Sequence, residues 1–193
     1  MSADLAAARA NAAAQTAAMA ERLHQALGIS APSIEAIAKV AAPGVIHHVP
    51  LIFVSSAMPL DELRTYASQL ERTGGALAFR GMPGGLHRVA PMAKLSAEIL
   101  RLDPGCSGPA CTMRNVPIVV DPIAFRTHGV TVVPAMAMVP GDPTTPYCER
   151  DDIGSEPDIL VTGDSALSGL LDEYARLGGA KEVADAQAHL ARR

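Results

Sequence analysis

The sequence predicts an α/β fold, a mixed central sheet flanked by helices, with an N-terminal helical extension before it. Three observations carry this. From Val49 onward short apolar runs alternate with stretches of helical periodicity, and β-α-β-α order favours parallel strands joined by right-handed crossovers. A proline, Pro134, interrupts the late apolar run GVTVVPAMAM; proline gives no N–H to a sheet ladder, so it marks an edge, a strand start or a bulge. Before Val49 the chain is Ala-rich with only a thin apolar stripe, a lead-in rather than a core. The expected boundaries are a helical extension over 1–44, the α/β domain over 45–179 and a C-terminal helical tail over 180–193.

In the extension, Leu5, Ala12, Met19, Leu23 and Leu27 fall near one side of a helix that Gly28 can stop. A second helix fits SIEAIAKVAAPG, with Ser33 as N-cap and Pro43-Gly44 as its end. A stripe this narrow needs something to pack on, the domain itself or another protein. VPLIFVSS then reads as a strand covered on both faces. The helix after it carries Pro59 in its first turn, Asp61 and Glu62 at the positive end of its dipole, and Leu60, Leu63, Tyr66, Ala67 and Leu70 at helical spacing up to Gly74-Gly75. ALAFRGM is the second strand, and PMAKLSAEILRL is a helix expected to bury Met92, Leu95, Ile99 and Leu102. VPIVVDP is a short strand and IAFRTHG a short helix or turn. The run with Pro134 follows, then a polar connection from Gly141 to Pro157 and the strand DILVTG. The last strong helix is expected to bury Leu167, Leu170, Leu171, Tyr174 and Leu177, with Asp164 or Ser165 as its cap, and the tail is expected to be a weak, solvated helix.

Composition narrows the function. Hydrophobic residues make up 49% of 193, yet Trp is absent and Phe and Tyr number three each, so the core rests on aliphatic and Met side chains. Few aromatics and a net charge of −4 without a basic run argue against nucleic-acid binding. No segment approaches 18 consecutive apolar residues, so no membrane span is expected. The opening residues lack a basic region followed by a strongly apolar one; taken literally that points to the cytoplasm, but a chain whose signal peptide has been removed reads the same.

The chemical candidates are few. Cys106 and Cys111, spaced C-x4-C in DPGCSGPACTMRN, suit either a short disulfide loop or two unrelated thiols, and Cys148 is an alternative partner for either. In an oxidising compartment the pair Cys106–Cys111 is the expected bridge. His47 and His48, with His87 and His128 at a distance, are the most metal-like set, but adjacent residues of an extended segment face opposite ways and cannot share one ion. Ser55 and Ser56 lack the G-x-S-x-G context of a nucleophile and are read as capping the next helix. GMPGG is too short for a phosphate loop, lacks its Lys, and reads as a turn. No cofactor and no metal is called for.

The order of elements resembles the thioredoxin fold. That resemblance implies that Pro134 opens a strand after a cis Val133–Pro134 bond, and that the loop holding C-x-x-C in redox members is here Ser55, Ser56, Ala57, Met58 and Pro59, without a thiol. In more detail, LIFVSSAMPLDEL, LAFRGM, IVVDPIAFRTHGVTVVPAMAM and ILVTGDSALSGLLDEYA resemble, in that order, the TrbC family of F-type conjugative transfer systems. The likeness covers roughly residues 49 to 178, and the shared features are the V-S-x-S-M-P-like end of the first strand, the R-G after the second, D-P-x-x-F-R before Val-Pro, and G-[ND]-x-x-L before the last helix. It implies a periplasmic, non-enzymatic pilus assembly factor of a type IV secretion system, working by protein contacts with a TraW-like protein and other assembly components. The alternative is a divergent periplasmic thiol-disulfide oxidoreductase or isomerase.

Overall fold

The protein is described by a computed structural model over residues 47–85, 87–145 and 159–192. The expected helical extension over 1–44, Cys148 and most of the connection from Gly141 to Pro157 lie outside the described residues. Five strands form one mixed sheet: β1 (His48–Val54), β2 (Ala76–Phe79), β3 (Ile118–Val120), β4 (Ala135–Pro140) and β5 (Val161–Thr162). Their order is β3-β2-β1-β4-β5. β1 runs parallel to β2, and β2 to β3, while β4 is antiparallel to both β1 and β5. This is the expected α/β class, a mixed sheet with flanking helices, and its strand order is compatible with a thioredoxin-like arrangement.

The helices are α1 (Leu60–Thr73), α2 (Val89–Leu100), α3 (Pro122–Thr127), α4 (Leu167–Tyr174) and α5 (Ala180–Ala191). α1 has acidic Asp61 and Glu62 in its first turn, and it ends where Gly74 takes φ 71°, a left-handed stop that glycine adopts without strain. α3 starts at the sequence Asp121-Pro122: one Asp121 carboxylate oxygen accepts from the N–H groups of Ile123 and Ala124, both at 2.9 Å, while Pro122 sits where no N–H is needed.

Strand periodicity splits the core into two layers. Ile52, Val54, Leu77, Phe79, Met136 and Met138 point to one face and pack with α1, α2, α4 and α5. Leu51, Phe53, Ala76, Ala78, Ala135 and Ala137 point to the other, together with Ala124 and Phe125 of α3.

The structure corrects three details of the helices. Leu102 is exposed, because α2 ends at Leu100 and the chain turns extended at Arg101, which bridges to Met113. Leu177 is exposed as well: the chain kinks within Ala175–Gly179, where Gly178 takes a non-helical φ of 119°, and Leu177 falls off the stripe of Leu167, Leu170, Leu171 and Tyr174. The tail is no solvated appendage. Val183 and Ala186 of α5 are buried in the larger layer, Tyr174 Oη donates to Glu182 at 2.6 Å, and Arg72 of α1 donates to the carbonyls of Leu190 and Arg192 at the end of α5.

Candidate functional site

One end of the sheet gathers the loop after β1, the ends of β2 and β3, and the start of β4. At this end Ser55 shapes a tight turn: its Oγ accepts from Ala57 N–H at 3.2 Å, its carbonyl accepts from Met58 N–H at 3.1 Å, and its own N–H meets Met58 Sδ at 3.4 Å. Serine therefore organises the loop rather than capping the helix; the residue before α1 is Pro59, which makes no side-chain cap. Ser56, Ala57 and Pro59 are exposed, while Ser55 and Met58 are half-buried.

Opposite this turn, the Val133–Pro134 peptide is cis and β4 begins at Ala135, so Pro134 stands just outside the ladder. The Pro134 carbonyl accepts from Gly163 N–H at 3.0 Å, which ties the start of β4 to the residues after β5. Arg80 holds the segment ahead of the proline. Its guanidinium lies 5.1 Å from the centre of the Phe125 ring and donates to the Val130 carbonyl. Phe125 in turn meets Phe53 edge-on, with ring centres 4.9 Å apart.

Between these parts lies a cleft of about 200 Å³, lined by Val54, Ser55, Ser56, Phe79, Arg80, Gly81, Phe125, Thr131 and Val133. Four sequence motifs thus meet around one cavity: the Val-Ser-Ser end of β1, Arg-Gly after β2, D-P-x-x-F-R, and the Val133–Pro134 strand start. Sequence reasoning gave Arg80 no role. The Arg-Gly pair was its only signal, and what it grips lies about 50 residues away.

A second polar group links α1 to the residues after β5. Tyr66 Oη donates to Asp164 Oδ1 at 3.2 Å, and burial, aided by the Asp164 charge, pushes the phenol up to about 12. Burial and Asp164 also raise the Glu62 carboxyl. Neither Asp164 nor Ser165 caps α4. Gln69 of α1 does so, its Oε1 accepting from Leu167 N–H.

The remaining candidates fall elsewhere. Cys106 and Cys111 form a disulfide in the connection between α2 and β3, with Cα atoms 5.8 Å apart, and neither lines the cleft. The histidines are dispersed: His47 pairs with Asp185 of α5 at 2.9 Å, His48 lies in β1, His87 is exposed, and His128 packs 5.4 Å from the Phe53 ring. Among the described residues no three His, Cys, Asp or Glu side chains are placed to hold one metal ion. GMPGG forms a turn closed by Gly85 N–H on the Met82 carbonyl. No helix among the described residues is long and apolar enough to cross a membrane.

Fold and cleft together define an α/β domain whose loop after β1 brings the hydroxyls of Ser55 and Ser56, and no thiol, to the cavity. The chain matches the family described as type-F conjugative transfer system pilin assembly protein, TrbC, over residues 52–174, and it belongs to that family. No curated protein and no solved structure matches it. The matched span begins within β1 and ends with α4, so it contains every residue lining the cleft.

Proposed function

We propose that this member of the pilin assembly family works in the periplasm as a non-enzymatic assembly factor of an F-type conjugative secretion system, acting through protein contacts. The observation that carries the reading is the cleft itself. Disulfide exchange needs a thiolate at the helix start, and Ser55-Ser56-Ala57-Met58-Pro59 supplies none. A volume of about 200 Å³ also falls below the ~300–1,000 Å³ of ordinary small-molecule pockets. It suits one side chain of a protein partner, and a TraW-like protein is the partner the resemblance implies.

The Cys106–Cys111 bridge favours one other reading, a displaced thiol-disulfide oxidoreductase or isomerase. Two measurements separate them. Purified protein is expected not to accelerate insulin reduction by dithiothreitol, and a Cys106→Ser, Cys111→Ser chain is expected to restore pilus production in a strain lacking the gene. Turnover that disappears in Cys106→Ser would replace the assembly reading with the enzymatic one. For the assembly reading, Arg80→Ala is expected to reduce capture of the TraW-like protein while leaving a cooperative melt.

A further inference from the structure

A second cavity, of about 370 Å³, opens between α1 and the connection from α2 to β3 and is lined by Arg64, Arg101 and Arg114. Three guanidiniums in one place stand out in a chain of net charge −4. Each is held by its backbone surroundings. Arg64 Nε donates to the Glu98 carbonyl at 2.8 Å. Arg101 and Arg114 are brought side by side by a short hairpin: Arg101 bridges to Met113, Leu102 N–H donates to the Thr112 carbonyl, and Arg114 N–H donates to the Leu100 carbonyl at 2.7 Å. The Cys106–Cys111 bond closes the far end of that hairpin.

The charges there are incompletely answered. Glu71 takes Arg114 at 3.0 Å, but among the described residues no carboxylate lies within ion-pair distance of Arg64 or Arg101. The Nε atoms of Arg101 and Arg114 are both buried without a hydrogen-bond partner. Two of the three guanidiniums lining the cavity thus have no carboxylate partner among the described residues, and a charged acceptor entering the cavity would supply one. The rest of the lining selects among acceptors. Leu102, 46% exposed, and Pro104 form an apolar wall, and Asp61 stands at the same cavity, where it repels a dianion more than a single carboxylate.

We propose that Arg64, Arg101 and Arg114 form a docking site for a carboxylate side chain on a partner polypeptide, from a segment that alternates acidic and apolar residues. The guanidinium fork matches a carboxylate, and Leu102 receives the neighbouring apolar side chain. The disulfide keeps Arg101 and Arg114 adjacent. This names the chemistry of a partner and so rests on the protein-contact reading above.

The test uses the full chain and three probes in calorimetric titration: an acetylated and amidated Leu/Glu hexapeptide, its Leu/Gln counterpart, and sodium phosphate. The Leu/Glu peptide is expected to bind about tenfold or more tightly than the Leu/Gln peptide, with affinity falling as salt rises. Arg101→Gln is expected to weaken it by about tenfold. Arg64→Gln gives the same reading should Arg101→Gln fail to melt cooperatively, and Arg176→Gln, outside the cavity, is expected to change nothing. A Cys106→Ser, Cys111→Ser chain is expected to bind more weakly than wild type but better than the arginine variants. Equal affinity for the two peptides, indifference to both arginine substitutions, or binding of phosphate without binding of the Leu/Glu peptide overturns the proposal. These outcomes are read on purified protein, so they leave the assembly role standing; that role fails separately if the wild-type gene does not restore pili.

Discussion

The two faces of the sheet use the same strands to opposite ends. On the face toward α1, α2, α4 and α5, β2 and β4 present Leu77, Phe79, Met136 and Met138; on the other they present Ala76, Ala78, Ala135 and Ala137. Alternation along a strand makes this division sharp, since each residue's neighbours point the other way. Large flexible side chains fill the deep layer beneath several helices. Four alanines leave room on the other face for two rings, Phe53 and Phe125, packed edge to face. The cleft opens where the two layers meet: Val54 and Phe79 line it from the first, Phe125 and Val133 from the second, and Arg80 lies over the Phe125 ring. Site geometry here depends on a small number of contacts, whereas the helical face spreads its load over many.

The comparison is tested most severely at Phe53. Phe53→Ala is expected to cost about 3–5 kcal/mol in denaturant unfolding, because it removes a fully buried ring whose neighbours are mostly alanines that cannot move in to fill the space. A loss under about 1 kcal/mol would mean that the alanine face is not size-limited.

Volume changes sharpen the point. Ala78→Val adds bulk beneath the rings and is expected to cost about 1–3 kcal/mol, while Met136→Leu, on the helical face, keeps its volume and is expected to cost less than about 1.5 kcal/mol. Thermal melts of the pair compare the two layers directly, and equal penalties would erase the distinction.

Helix starts give a further contrast between the faces. α3, on the alanine face, is capped from within by Asp121, and α4, on the helical face, is capped by Gln69 of α1. Each loss, Asp121→Ala or Gln69→Ala, is expected to cost about 0.5–2 kcal/mol. Only Asp121→Ala is expected to loosen Phe125 and weaken partner capture, which a pull-down with the proposed TraW-like partner checks.

The smallest effect is a pH dependence on the helical face. The Tyr66 phenol titrates at about 12 in the fold against 10.0 as a free side chain, so folding binds its proton more tightly. Its contribution is complete below pH 10 and is lost as pH rises from 10 through 12. Tyr66→Phe is expected to flatten that window, and at neutral pH to cost about 1 kcal/mol for the hydrogen bond to Asp164. Ultraviolet titration of the three tyrosines checks the first expectation: wild type shows a component near 12 that the variant lacks.

Much of the fold was legible because it is written in short-range patterns. The uninterrupted apolar run LIFV marks a strand covered on both faces, the spacing of Leu63, Tyr66 and Leu70 sets the buried side of α1, and Gly74 marks its end. Pro134 marks an edge, a strand start or a bulge because a missing N–H is a local fact, and the structure has β4 begin directly after it. Patterns extended past the ends of helices did less well. Leu102 and Leu177 continue a helical spacing on paper, but the first follows a turn to extended backbone and the second lies at a kink where Gly178 leaves the helical conformation.

Sequence by itself determined the α/β class, the element order and the residues available to each face, since periodicity, caps and turn residues act within a few positions of one another. The start of α1 is such a case: Pro59, Asp61 and Glu62 lie within four residues of one another and of the helix start they mark. Only the tertiary structure decided that Gln69 caps α4 across 98 positions, that Arg80 grips the Val130 carbonyl, and that Arg64 joins Arg101 and Arg114 around one cavity. A polar side chain can meet any of many distant partners, and nothing in its own neighbourhood along the chain says which; the choice is made when packing the apolar layers fixes the elements against one another.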